Sequence, residues 1–401
     1  MKYAILVGDG MSDYRLDDLD GRTPLQASRT PEMDRIAKEG MTGLARTVPR
    51  NMDASSDVAN MSIFGYDPKE FYTGRGPLEA ESMGIELGPD DVAFRANLVT
   101  VSDGVMVDYS AGHISSNEAA VLIELLGGKF SRRGVRFYPG VSYRHLMIVP
   151  EGKLSGGHGH LRCVPPHDIT GKPIMENFPR GKGAKFLREI MTGSQFMLAD
   201  HEINTIRVDL GENPVDMLWL WGQGKKPSMP LFKERHGVDG AVISAVDLIK
   251  GLALCIGLKV IDVPGATGYY DTDYAAKAEY ALRALEGADF VFVHVEAPDE
   301  AGHNGDLGEK IRAIENFDEK VVGRIADGMR RMGKHRILVM PDHPTPVELR
   351  THADDPVPYA IAGNGIRADA VCRFDEESIG KGGGQTVAAS GLVDVLFGGA
   401  R

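Results

Sequence analysis

The chain has 401 residues, 42% apolar and 25% charged: a normal balance for a soluble globular enzyme, at a length that exceeds one ordinary core. Its formal charge of −12, with no basic stripe or tail, excludes a nucleic-acid scaffold, although metals and a few arginines can reverse the sign locally. Cys163, Cys255 and Cys372 lie far apart without a CxxC pair, which fits a reducing cytosol and offers no cysteine-based zinc site.

The chain opens with an apolar run over 3–7 followed by Gly8-Asp9-Gly10. This predicts a buried strand ending at a functional loop, and the run is too short for a signal peptide or a membrane span. Thr30-Pro31 predicts a helix start, with Thr30 as N-cap and a helix over 32–39 ending at Gly40. A second helix is predicted over 57–64, closed by Gly65. From Ala93 the pattern becomes β-like, and Ser102-Asp103-Gly104 predicts a hairpin. A helix over 118–126 and strands near 135–138 and 145–149 follow. Residues 151–185 are rich in Gly, Pro and His and read as loop; a helix over 184–198 and a strand over 217–221 come next. Residues 222–230 read as a linker. Beyond them the chain alternates: helix near 240–255, strand 259–263, helix 273–285, strand 290–295, helix 308–331, strand 336–340. That alternation predicts an α/β fold with a parallel sheet and crossover helices.

Three acids sit just past predicted strands: Asp9, Asp299 and Asp342. Open α/β sheets bind ligands beyond the carboxyl ends of their strands. His303, His343 and His352 lie beside these acids, so the six residues form a candidate dinuclear metal centre, which points to phosphate chemistry. Such ligands suit Mn²⁺ or Zn²⁺ better than Ca²⁺. Ser55 and Ser56 open the second helix, where free N–H groups and the helix dipole favour an anion, so a serine there is a candidate nucleophile. The residues alone do not choose between the two serines. Because strands from both chain ends carry the acids, the middle reads as an insertion, giving expected domains 1–88 with 226–401, and 89–225. His158 and His160 in a glycine loop lack further ligands, and Arg132, Arg133 and Arg136 read as solvated surface. The glycines around Lys381 lack the spacing of a nucleotide-binding loop.

Longer motifs carry a resemblance. They are Val7-Gly-Asp9-Gly-Met11, Ser56-Asp-Val-Ala-Asn60, Gly65-Tyr-Asp67, Tyr72-Thr-Gly-Arg75-Gly-Pro-Leu-Glu79-Ala, Asp299-Glu-Ala-Gly-His303, Asp342-His343 and His352-Ala-Asp-Asp-Pro-Val-Pro358. On these the whole chain resembles the archaeal-type 2,3-bisphosphoglycerate-independent phosphoglycerate mutase family, within the alkaline phosphatase superfamily. The resemblance implies an alkaline-phosphatase-like parallel sheet with helices on both faces and a smaller inserted α+β domain. It implies two divalent ions, Mn²⁺ first, with Zn²⁺, Mg²⁺ or Co²⁺ as alternatives, and no bisphosphoglycerate. Asp299, His303 and His352 would hold one ion; Asp9, Asp342, His343 and Ser56 would hold the other. The resemblance also selects Ser56 over Ser55. Ser56 would take the phosphoryl group of 3-phosphoglycerate as phosphoserine, and the trapped glycerate would reorient and accept it on its 2-hydroxyl. Arg75, placed on the sheet domain, and His113, Arg144 and Asp168 on the insert are the candidate substrate-binding residues. A small phosphorylated substrate, a cytoplasmic location, and neither nucleic acid nor membrane as partner are expected. Two alternatives use the same residues: a homoserine kinase-like phosphotransferase, toward which Asp57-Val-Ala-Asn60 leans, and a metal-dependent phosphatase.

Overall fold

Strand Lys2–Gly8 is buried from Ala4 onward, so both of its faces are covered. Its neighbour Phe290–Val295 shows how. Side chains alternate along a strand, and here Val291, Val293 and Val295 enter one core with Ala4, Leu6, Val339 and the helices that supply Met33, Ala281 and Ile325. Phe290 and Phe292 point the other way, stacking on Phe232 and Phe64. Strands buried on both faces read as continuous apolar runs, which is why these two were legible in the sequence.

The computed structural model describes residues 1–131 and 134–398. Arg132 and Arg133, from the basic cluster, lie outside the described residues. The described chain divides into two compact units, Met1–Tyr72 with Met229–Arg401, and Thr73–Ser228. The first boundary therefore falls sixteen residues before the expected position, between Tyr72 and Thr73. Close backbone packing explains the shift. A Cβ at Gly74 would lie 2.2 Å from the Gln223 carbonyl oxygen, and one at Gly76 would lie 2.6 Å from that of Ala93. Helix Arg75–Ser82 is thereby bound to the insert strands, and Arg75 belongs to the insert, not to the sheet domain.

The larger unit holds an eight-stranded sheet. Its order is Gly384–Ala388, Met41–Arg46, Val357–Gly363, His335–Met340, Lys2–Gly8, Phe290–Val295, Gly240–Ile243, Lys259–Val260. The strands bearing the acids are parallel and adjacent in the middle of it. The sheet is not wholly parallel, because Val357–Gly363 runs antiparallel to both of its neighbours. Residues 341–356 contain no helix, and a return without a crossover element produces an antiparallel pair. The strand Gly240–Ile243 falls where a helix was expected; that helix begins only at Asp247. The segment expected as one helix over 308–331 is Leu307–Asn316, a π-helical stretch Phe317–Gly323, and Arg324–Met332.

The smaller unit is α+β. Its five-stranded sheet is antiparallel, centred on Asp91–Ser102. The hairpin turn places Asp103 and Gly104 at φ 50° and 74°, the backbone a two-residue turn requires. Helices Ser116–Phe130 and Ala184–Leu198 supply Leu122, Leu126, Leu187 and Met191 to its own core. Within residues 151–183 short 3₁₀ turns and isolated bridges form, Arg162 with Arg180 and Pro173 with Val105.

Candidate metal centre

All seven residues expected as metal ligands lie in the larger unit. Asp9 follows the central strand directly, and Asp342 follows His335–Met340. Asp299 and His303 sit four residues apart on helix Ala297–Asn304, which starts just past Phe290–Val295. That spacing places both side chains on one helix face, with His303 Nε2 3.2 Å from Asp299 Oδ2. His352 arrives from the loop, its Nε2 2.9 Å from His303 Nε2 and 3.5 Å from Asp299 Oδ1. His343 Nε2 lies 3.4 Å from Asp9 Oδ1 and 3.6 Å from Asp342 Oδ2. Ser56 is the first residue of helix Ser56–Ile63, and its Oγ is 3.1 Å from that same Nε2. Ser55 caps this helix by backbone conformation alone.

These atoms fit cations. His303 Nδ1 faces the Arg350 carbonyl and His352 Nδ1 faces that of Ala54. A carbonyl only accepts, so each Nδ1 carries a proton, and Nε2 presents a lone pair whenever the ring is neutral. Against the effect of burial, the Asp299 carboxylate pushes His303 up to about 9, so a metal ion there would displace a proton. The two Nε2 atoms face each other at 2.9 Å, a distance that calls for a positive centre between or beside them, a proton in the metal-free protein or a cation in its place. Asp9 Oδ1 is buried without a hydrogen-bond partner among the described residues. Burial, and then the nearby Asp342 and Asp299 carboxylates, push the Asp9 carboxyl well above its usual range. Burial opposes ionisation of Asp342 as well, yet His343 and His294 hold it well below that range. Burial pushes His343 down to about 4, so it is a neutral imidazole able to give a lone pair.

Several contributions escaped the sequence reading, including the role of Asn60, which entered only as part of the serine motif. Asn60, one helical turn after Ser56, donates to Asp342 Oδ2 at 2.8 Å and to the Ser56 carbonyl at 2.8 Å. The i, i+4 spacing was the available signal. His294, on the phenylalanine face of its strand, has Nε2 3.4 Å from Asp9 Oδ2 and Nδ1 3.2 Å from Glu296. Glu296 is held by buried Lys277 at 2.8 Å and by Ser244 at 2.9 Å. A histidine within an otherwise apolar run was the clue there.

Comparison with known proteins identifies the family. Residues 37–204 match the family described as 2,3-bisphosphoglycerate-independent phosphoglycerate mutase. A relative of that description from Methanothrix thermoacetophila is 54% identical over 400 residues, covering 100% of both chains. The chain belongs to the 2,3-bisphosphoglycerate-independent phosphoglycerate mutase family. A solved structure of a Pyrococcus horikoshii protein superposes with a TM-score of 0.82 at 31% identity, covering 100% of this chain and 98% of that one. The cofactor-independent phosphoglycerate mutase of Thermoplasma acidophilum gives 0.65 at 29% identity, covering 100% of each.

In this member of the mutase family the four expected substrate-binding residues all fall in the insert, around one patch of rings. The Arg75 guanidinium lies over the Trp221 ring, 5.3 Å from its centroid, and Arg95 lies over the same ring at 4.7 Å. Trp221 meets His167 at 5.3 Å, His167 meets Tyr109 at 6.1 Å, and Tyr109 meets Tyr143 at 5.7 Å. Tyr143 in turn touches His113 at 6.1 Å and supports Arg144 at 5.5 Å. Asp168 Oδ1 lies 3.7 Å from His167 Nε2. Arg95 and Trp221 were missed because both lie inside strands that read as apolar. His158 pairs with Glu151 at 2.7 Å rather than joining a metal cluster.

Proposed function

We propose that this protein interconverts 3-phosphoglycerate and 2-phosphoglycerate, without bisphosphoglycerate, through a phosphoserine at Ser56. The observation that carries the reading is the position of Ser56 Oγ: at a helix N-terminus and 3.1 Å from the neutral His343 Nε2, beside Asp9 and Asp342. Asp299, His303 and His352 are the proposed holders of one divalent ion; Asp9, Asp342, His343 and Ser56 are those of the other, with Mn²⁺ the first candidate. Two such ions supply charge neutralisation for phosphate and lower the pKa of a coordinated hydroxyl.

The protein's own groups do the rest. The helix start offers free N–H groups and the positive dipole end to the phosphate oxygens. Asn60 locks the Ser56 backbone to the Asp342 carboxylate, which limits where the serine oxygen can go. Transfer to the 2-hydroxyl of glycerate, rather than to water, requires glycerate to stay held while the phosphoserine exists. The patch of Arg75, Arg144, His113 and His167, with Asp168, is the proposed holder of glycerate, its arginines for the carboxylate and Asp168 as an acceptor for hydroxyls. No helix among the described residues is long and apolar enough to cross a membrane.

An enolase-coupled assay with 3-phosphoglycerate and Mn²⁺, without added bisphosphoglycerate, tests the proposal. Activity lost in Ser56→Ala is the expected result. Steady phosphate release with no 2-phosphoglycerate would establish a phosphatase, and ATP-dependent phosphorylation of homoserine would establish the kinase reading.

A further inference from the structure

Thr345 is fully buried and touches both groups of candidate ligands. Its hydroxyl donates to Asp299 Oδ1 and faces His343 Nδ1 at 3.2 Å. The carboxylate only accepts, so the single hydroxyl proton points to Asp299 and an oxygen lone pair is left toward His343. His343 then carries its proton on Nδ1. Its Nε2 keeps the lone pair that faces Ser56 Oγ at 3.1 Å and Asp9 Oδ1 at 3.4 Å.

The hydroxyl is clamped in that orientation. Thr345 N donates to the Ser12 carbonyl at 3.2 Å, and the Thr345 carbonyl accepts from buried Lys310 Nζ at 2.7 Å. A Cβ at Gly302 would lie 2.8 Å from Thr345 Cγ2 and 2.3 Å from its carbonyl oxygen. A Cβ at Gly10, where φ is +61°, would lie 2.6 Å from both Thr345 Oγ1 and Asp299 Oδ1. Gly10 follows Asp9 and Gly302 precedes His303, so a glycine in each of two ligand-bearing motifs leaves the room that Thr345 fills.

We propose that Thr345 is a positioning residue: one hydroxyl orients the Asp299 carboxylate and sets the His343 tautomer, coupling the two halves of the metal centre. The proposal rests on the metal-centre reading above. Loss of an outer hydrogen bond of this kind costs about 10- to 100-fold in metal affinity.

The test compares wild type, Thr345→Val, which keeps the shape and removes the hydroxyl, and Thr345→Ser, which restores it. Calorimetric titration with Mn²⁺ should give two ions per wild-type chain, affinity about tenfold or more weaker in Thr345→Val, and affinity near wild type in Thr345→Ser. Nitrogen-15 histidine NMR on the metal-free proteins should show His343 with its proton on Nδ1 in wild type and Thr345→Ser, and a shift toward the Nε2–H form in Thr345→Val. Unchanged Mn²⁺ affinity in Thr345→Val, or an Nε2–H tautomer in wild type, overturns the proposal. A wild type that binds no Mn²⁺ overturns the metal-centre reading instead, and the tautomer still decides the role of Thr345.

Discussion

The residue scale is governed by where protons and lone pairs are forced to sit. His303 and His352 each spend an Nδ1 proton on a backbone carbonyl, which leaves Nε2 as the atom that faces the site and that a cation would take. Asp9, driven up by burial and by two neighbouring carboxylates, is the group that a cation would most relieve. The insert follows a different logic: Arg75 and Arg95 share the Trp221 ring, and buried Arg95 is held by Glu79 at 3.1 Å as well. Under the proposed function, Arg75 and Arg144 grip the carboxylate or phosphate of the substrate. Arg75→Ala and Arg144→Ala should therefore each raise KM for phosphoglycerate by about 10- to 100-fold, the value of a charged hydrogen bond. Mn²⁺ affinity and melting temperature should stay near wild type, and steady-state kinetics beside a metal titration would check both. An unchanged KM would place these arginines outside the substrate site. Asp9, Asp299 and Asp342 were readable because each ends an apolar run. Arg95 was not, since it alternates with Phe94 and Ala96 in a strand whose other face is core.

At the scale of elements, the start of helix Pro31–Glu39 shows a distant residue doing a local job. Thr30 was expected to cap it, yet its side chain makes no cap hydrogen bond. Asp318, from the π-helical stretch, accepts from Met33 N at 2.7 Å and Glu32 N at 3.1 Å instead. Burial pushes its carboxyl up to about 7, against the pull of those two N–H donors. The folded state thus holds this proton more tightly than the unfolded chain. Its contribution to stability is full below the ordinary aspartate value of about 4 and is lost as pH rises through about 7. Asp318→Asn keeps a capping oxygen and cannot ionise. In urea melts of metal-free protein, the drop in stability from pH 5 to pH 8 should be smaller in this variant than in wild type; equal drops would refute the assignment. Asp318→Ala should cost about 1 kcal/mol as a lost cap. No sequence pattern pairs positions 32 and 318, so this cap lay beyond periodicity. The same limit hid Met41–Arg46, Val357–Gly363 and Gly384–Ala388: their pairing partners are remote, and short apolar runs do not distinguish strand from helix. The long, strongly patterned pieces, such as Ala184–Leu198 and Phe290–Val295, were legible to the residue.

For the whole molecule, two cores in one chain mean that a ligand need not stabilise everything. The candidate metal ligands lie in Met1–Tyr72 with Met229–Arg401, whose core joins Leu6, Val293 and Phe317. Thr73–Ser228 has its own core around Phe94, Leu122 and Trp219. Both tryptophans of the chain, Trp219 and Trp221, belong to that second unit. Tryptophan fluorescence therefore reports the insert alone, while far-UV circular dichroism reports both units. A metal that binds only the folded larger unit stabilises it by about 2.7 kcal/mol at a hundredfold excess over Kd, which corresponds to a rise of about 5–10 °C for a unit of this size. Adding Mn²⁺ in place of chelator should move a dichroism transition upward by that amount and leave the tryptophan transition where it was. Equal movement of both signals would show that the two cores unfold as one. No movement of either would remove the metal centre and, with it, the chemistry built on Ser56.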